Sequence, residues 1–219
     1  PWLTLRMCTG VSTRLKLPVK WCFSVIRELA DSMKKFYLCL CCSLLLSACA
    51  GPQPIFNGYN LDGWQSDGVV PWVVQDQVLV ASGKGDSFLA TNAEFDDFYL
   101  RVEFWVDATT NSGIFIRCQD RSRIYPDTCY ELNIWDEHPK QEARTGAIVF
   151  KHMPPLAQVE TVGRWNTYEV TARGGFIEAK VNGETTAVLK DADSTGGFIA
   201  LQHWGQGTVK FRSVEIVPR

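Results

Sequence analysis

The run Tyr99-Leu-Arg-Val-Glu-Phe-Trp-Val106 alternates apolar and polar side chains from end to end, and this pattern restricts the fold more than any other feature of the chain. Neighbouring side chains of an extended strand point to opposite faces, so Leu100, Val102, Phe104 and Val106 share one side, and Arg101, Glu103 and Trp105 the other. A strand with one apolar face needs partner strands closed over a common core. Such partners recur along the chain with turn punctuation: Trp72–Val80, Phe88–Thr91, Gly113–Cys118, Tyr130–Trp135, Ala147–Phe150, Trp165–Ala172, Phe176–Val181, Gly197–His203 and Val209–Val217. Helical periodicity is almost absent from this part of the chain. Asn182-Gly183 predicts a tight hairpin turn, because both residues tolerate positive φ. Between Phe211 and Val214 the alternation slips, which predicts a bulge. The expectation is an all-β sandwich or jelly roll.

The start of the chain reads differently. From Met33, Lys34 and Lys35 form a cationic stretch, Phe36–Leu46 an apolar one too short for a comfortable membrane span, and Leu46-Ser-Ala-Cys49 closes it. That ending resembles a bacterial lipobox, which would make Cys49 the lipidated first residue of an exported protein; an ordinary secretory signal with a chance cysteine is the alternative. Residues 1–32 precede this signal and are set aside as upstream sequence, residues 33–49 are read as signal peptide, 50–54 as a short linker and 55–219 as one domain.

Residues 1–49 hold 7 of the 22 Lys and Arg but 2 of the 24 Asp and Glu, leaving 15 cationic against 22 anionic side chains, a net charge of −7. An acidic domain without a basic cluster is a poor partner for nucleic acid, and membrane contact would come through the lipid anchor alone. Of the eight cysteines, Cys118 and Cys129 remain in the domain. In an oxidising compartment they would pair and close the loop between two strands; two free buried thiols are the other reading.

The polar residues of two runs suggest a site. In Asn111-Ser-Gly-Ile-Phe-Ile-Arg117 the alternation sends Ile114, Ile116 and then Cys118 inward and Phe115 and Arg117 outward. In Tyr130-Glu-Leu-Asn-Ile-Trp-Asp136 it sends Glu131, Asn133 and Trp135 outward. A carboxylate, a guanidinium and an amide would share one face, suited to a polar ligand, although any antiparallel sheet also wets one face.

Eight pieces in order carry a family resemblance: Phe56-Asn-Gly-Tyr-Asn-Leu-Asp-Gly-Trp64, the Asn111 and Tyr130 runs, Thr145-Gly-Ala147, Gly163-Arg-Trp-Asn166, Val181-Asn-Gly183, Gly197-Phe-Ile-Ala-Leu-Gln-His203 and Phe211-Arg-Ser-Val-Glu-Ile216. Together they resemble the 3-keto-disaccharide hydrolase family over residues 55–217. The resemblance implies a concanavalin A-like jelly roll of two curved antiparallel sheets, in an exported bacterial protein acting on 3-keto-glycosides. The family usually carries Glu-x-Gln where this chain has Glu131-Leu-Asn133, so the amide reaches one methylene less far.

A ketone at C3 of a sugar acidifies the C2 hydrogen, and β-elimination of the C1 oxygen followed by addition of water gives net hydrolysis. The route needs a base near C2, a partner for enolate charge and an acid for the leaving oxygen. Glu131 is the expected base and Arg117 the expected oxyanion partner, being permanently charged and able to give two hydrogen bonds; a cross-strand ion pair between them is the structural alternative. His203 is a candidate acid or base, although with Gln202 facing a ligand the alternation puts His203 in or near the core. Asn111, Asn133, Gln202, Glu103, Asp136, Trp105 and Trp135 are the expected substrate contacts, with Tyr125 and Trp204 as further stacking platforms. Glu103 beside Glu131 would allow direct glycoside hydrolysis by two carboxylates, and Asp136 could instead cap the turn that follows it. A divalent cation would stabilise an enolate, but no ligand spacing demonstrates one. A carbohydrate-binding module without catalysis and a structural envelope lipoprotein remain the competing classes. For any of the three the expected location is the bacterial envelope, lipid-anchored in the outer membrane or periplasm.

Overall fold

The computed structural model describes residues 3–6, 12–15, 51–151 and 155–219. The signal and lipidation residues Met33–Cys49 lie outside them. The chain divides into two units, Pro1–Ala50 and Gly51–Arg219. In the first, β1 (Leu3–Arg6) pairs antiparallel with β2 (Ser12–Leu15), within the stretch that the sequence reading set aside.

The second unit is a sandwich of two antiparallel sheets, a jelly roll. Its strands are β3 (Gln53–Pro54), β4 (Trp64–Gly68), β5 (Trp72–Gln75), β6 (Val78–Lys84), β7 (Ser87–Phe95), β8 (Phe98–Val106), β9 (Asn111–Cys118), β10 (Tyr130–Ile134), β11 (Asn166–Arg173), β12 (Phe176–Val181), β13 (Glu184–Leu189), β14 (Gly197–Trp204) and β15 (Gln206–Pro218). The smaller sheet has the order β10-β9-β14-β7-β4, and the larger β13-β12-β11-β8-β15-β6-β5 with β3 added on β15. Residues 53–54 therefore belong to the sheet and are more than a linker.

The inward sets of the two sheets meet in one core that includes Leu100, Val102, Phe104, Ile114, Ile116, Tyr130, Leu132, Ile134, Tyr168 and Leu201. Burying these side chains is the main favourable term of the fold, at about 1.5–3 kcal/mol for each large one. The run Trp72–Val80 is two strands rather than one: Asp76 and Gln77, at φ 50° and 63°, make a turn without glycine. The slip in the last strand is a register shift between Phe211 and Ser213 against β8. Ala147–Phe150 forms a single bridge, Leu132 to Ile148, along the outer edge of β10 rather than a full strand.

One irregularity decides what the smaller sheet displays. On β9, Phe115 pairs with Ala200 and Cys118 with Phe198, so Ile116 and Arg117 together oppose Ile199 alone. Two residues against one is a bulge, and Arg117 stands at φ 52° within it. The extra residue switches the parity of everything after it. Arg117 turns inward and Cys118 outward, the reverse of the simple alternation. Cys118 then joins Phe115, Cys129, Phe198, Ala90 and Ala200 in a second apolar cluster on the outer face, where Cys118 and Cys129 form a disulfide.

Candidate active site on the outer face of the smaller sheet

Three neighbouring strands build the floor. Across them Asn133 of β10, Gly113 of β9 and Gln202 of β14 are register partners, with Glu131 two residues before Asn133 on the same face. Gly113 has no positive φ to explain it; its use here is space. A Cβ at Gly113 would stand 3.2 Å from Glu131 Oε1 and 3.4 Å from Gln202 Oε1, so both side chains lean over the bare backbone. A cavity of about 750 Å³ opens above them, lined also by Asn111, Tyr125, Trp135, His138, Lys140, Phe150 and Trp204.

Glu131 is 7% exposed and takes part in no salt bridge or side-chain hydrogen bond among the described residues. Burial alone pushes its carboxyl from an ordinary 4.5 up to about 8. Near neutral pH it holds a proton readily, yet it ionises within reach of mildly alkaline conditions, which suits proton transfer. Gln202 Oε1 and Asn111 Oδ1 are buried without a hydrogen-bond partner. Unpaired buried acceptors are costly, and a ligand hydroxyl would satisfy them.

The walls come from three segments. The loop between Cys118 and Cys129, closed by the disulfide, brings Tyr125 to the cavity, where its ring lies 6.2 Å from that of Phe150. Residues 146–149 run along the free edge of β10 through the bonds Gly146 N to Asn133 O (3.1 Å), Asn133 N to Ala147 O (3.1 Å) and Val149 N to Glu131 O (3.0 Å). Between them, residues 136–145 fold over the face with a 3-10 turn at Gln141–Ala143. Asn133 anchors this segment: its Nδ2 donates to Ala143 O and its Oδ1 accepts from Ile134 N. The shorter amide thus holds the wall, although it also lines the cavity.

Of the expected site residues, Glu131, Asn111, Asn133, Trp135 and Gln202 come together here, with Tyr125 and Trp204. Arg117 does not. It is fully buried on the inner side, where its guanidinium donates to Gly174 O (2.6 Å), Ser194 O (3.0 Å) and Asp97 Oδ1 (3.3 Å). Burial lowers the pKa of this guanidinium and Asp97 offsets part of that. The bulge takes it away from Glu131, so neither the expected ion pair nor an oxyanion contact exists.

His203 is likewise fully buried, as alternation after Gln202 requires, with Nδ1 3.0 Å from Gly85 O and Nε2 3.1 Å from Gly207 O. Glu103 and Trp105 belong to β8 in the larger sheet, so the second carboxylate is not beside Glu131. Against its partial burial, hydrogen bonds from Arg212 and Arg101 hold the Glu103 carboxyl below its ordinary value, and Lys210 Nζ sits 4.8 Å from the Trp105 ring centre. Asp136 does not line the cavity either. Its carboxylate accepts from Thr145 Oγ1 (2.5 Å), Thr161 Oγ1 (2.8 Å) and Thr161 N (2.5 Å), tying two loops together.

Sequence reasoning missed the bare backbone at Gly113 beneath Glu131 and Gln202, and His138, Lys140 and Phe150 as cavity residues. Gly113 carried a signal, since a glycine inside a strand often marks a close approach. The other three follow from residues 136–150 turning back over the strand that bears Glu131, which no periodicity announces. Among the described residues no cluster of three or more His, Cys, Asp and Glu is placed to hold a metal ion.

The second unit is thus a jelly roll whose smaller sheet carries a desolvated carboxylate under an aromatic rim. The chain belongs to the family of the 3-keto-alpha-glucoside-1,2-lyase-like domain, whose pattern matches residues 51–217. Two crystal structures from Parabacteroides distasonis, each described as a "putative glycosyl hydrolase", are similar to it. One is 24% identical with a TM-score of 0.67, covering 77% of this chain and 94% of that one. The other is 25% identical with a TM-score of 0.67, covering 77% and 100%. A carbohydrate-binding module from Bacillus subtilis shares the fold at 15% identity and a TM-score of 0.52, covering 69% and 93%. Comparison with curated proteins gives no match.

Proposed function

We propose that this protein cleaves 3-keto-glycosides, including 3-keto-disaccharides, by elimination across C1 and C2 of the oxidised sugar. The observation that carries the reading is Glu131: a carboxyl raised to about 8 by burial alone, on the floor of a cavity, beside orphaned amide oxygens. Its carboxylate removes the C2 proton while the C3 carbonyl takes up the electron pair as an enolate. The enolate then collapses, C3=O re-forms, the C1–C2 double bond forms and the C1–O bond breaks, and the departing oxygen takes the proton from Glu131. Water adding at C1 of the resulting enone, with a proton returned to C2, completes a net hydrolysis; release of the enone makes the protein a lyase.

Gln202 and Asn111 accept hydrogen bonds from ring hydroxyls, and Trp135, Tyr125 and Trp204 give the sugar or its leaving group apolar surfaces to lie against. Family membership and the description carried by its relatives from Parabacteroides distasonis support this chemistry. A binding module is the second reading, favoured by the aromatic rim. Incubation with 3-keto-sucrose or a 3-keto-glucoside, followed for free monosaccharide and enone, separates them: cleavage supports the enzyme, and binding without cleavage supports the module.

We further propose that the protein works outside the cytoplasm, lipid-anchored through Cys49 in the outer membrane or periplasm. The signal-like sequence from Met33 and the Cys118–Cys129 disulfide support that placement.

A further inference from the structure

With Arg117 on the inner side of the sheet, the elimination still needs a group facing the enolate oxygen, and the cavity wall carries one. We propose that His138 is a catalytic residue of this site: its Nε2–H hydrogen-bonds the C3 carbonyl oxygen and stabilises it as negative charge develops. This rests on the elimination reading above.

The ring is fixed before any substrate arrives. It packs against the Trp135 ring in a T-shaped contact, ring centres 4.5 Å apart at 80°. The Lys140 amide donates to His138 Nδ1 at 3.0 Å. The backbone sets the direction of that amide hydrogen, so Nδ1 is the acceptor and the ring proton resides on Nε2. Lys140 O also lies 2.9 Å from this Nδ1, a contact that would need the other tautomer, and the fixed Lys140 amide hydrogen is what favours Nδ1 as acceptor. Nε2 has no acceptor among the described residues, and the residue lines the cavity.

The segment bearing the ring is itself anchored to the floor. Asn133 Nδ2 holds Ala143 O, and Arg144 Nε donates to His138 O at 3.1 Å. Asn133 stands two residues from Glu131 on one strand face, so base and electrophile are tied to the same strand. Lys140 is the other cationic candidate lining the cavity, but it is exposed and makes no ion pair among the described residues. A preorganised donor loses less on binding than a free lysine arm.

The test compares His138→Asn, which keeps an acceptor for the Lys140 amide but lacks the distal donor, with His138→Gln, which restores a donor near Nε2, and with Lys140→Met. Two substrates divide the chemistry. A 3-keto-1,5-anhydroglucitol has no exocyclic leaving group at C1, so its C2 proton exchange in D2O reads enolisation without glycoside cleavage; methyl 3-keto-glucoside reads cleavage. The expected result is a loss of about 100-fold in both exchange and cleavage for His138→Asn, the usual cost of one oxyanion donor. His138→Gln should recover at least tenfold of that loss, with melting temperatures of the variants alike and a smaller loss in Lys140→Met than in His138→Asn. Exchange that persists in His138→Asn while cleavage falls would overturn the proposal, because His138 would then serve the leaving oxygen. Equal loss in the Asn and Gln variants, or a greater loss in Lys140→Met, would overturn it too. If the unmodified protein neither exchanges nor cleaves, the elimination reading itself fails, and the inference with it.

Discussion

Glu131 leans over Gly113 so closely that a methyl group on the glycine would stand 3.2 Å from its Oε1. The site therefore depends on a side chain that is missing. Gly113→Ala fits the extended backbone, so the fold should survive with a melting temperature within a few degrees. Glu131 and Gln202 would have to shift by a few tenths of an ångström, and turnover should fall about tenfold or more, since small misplacements of reacting groups are costly. Steady-state kinetics beside a thermal melt checks both halves.

The buried carboxyl also makes stability depend on pH. Between an unfolded value near 4.5 and a folded value of about 8, the native state keeps a proton that the unfolded chain has lost. The folded state is favoured most below 4.5 by this group, and its contribution falls as pH rises through that window and levels off above 8. Glu131→Gln should remove the dependence and stabilise the protein at pH 9 by a few kcal/mol relative to its parent, with little difference at pH 4.5. Urea unfolding at the two pH values measures it.

Arg117 belongs to the fold rather than the chemistry. Replacing it with Met leaves the carbonyls of Gly174 and Ser194 and the Asp97 carboxylate short of a donor, at a cost of about 3 kcal/mol. At a temperature where the variant is folded, its kcat should stay within about threefold of the parent. A hundredfold loss of kcat in a folded variant would return Arg117 to the mechanism.

Reduction of the Cys118–Cys129 bond frees the loop that carries Tyr125. An 11-residue separation implies a loss of about 3 kcal/mol of stability from the freed chain entropy. KM should rise more than kcat falls, because the loop forms a wall and not the floor. Assays with and without reductant at a temperature below the lowered melting point read the split.

Much of this architecture was legible in the sequence because alternation is a local property. The faces of β8 and β10 follow residue by residue, as do the Asn182-Gly183 hairpin and the slip after Phe211. Arg117 was misread for a physical reason: one left-handed residue adds a bulge, and every parity after it inverts. Nothing in Ile-Arg-Cys announces a positive φ. Glu103 and Asp136 show the second limit, since alternation gives a face but not the sheet or the partners that face will meet. His138 shows the third, because a wall made by a returning loop has no period to read.

Turnover of a 3-keto-disaccharide by the unmodified protein and by Glu131→Gln, each checked for fold and for ligand binding, tests the central claim most directly. The account predicts release of monosaccharide that rises with pH toward about 8 in the parent, and loss of at least a thousandfold in the variant with binding retained. Cleavage at an undiminished rate in the variant would contradict it.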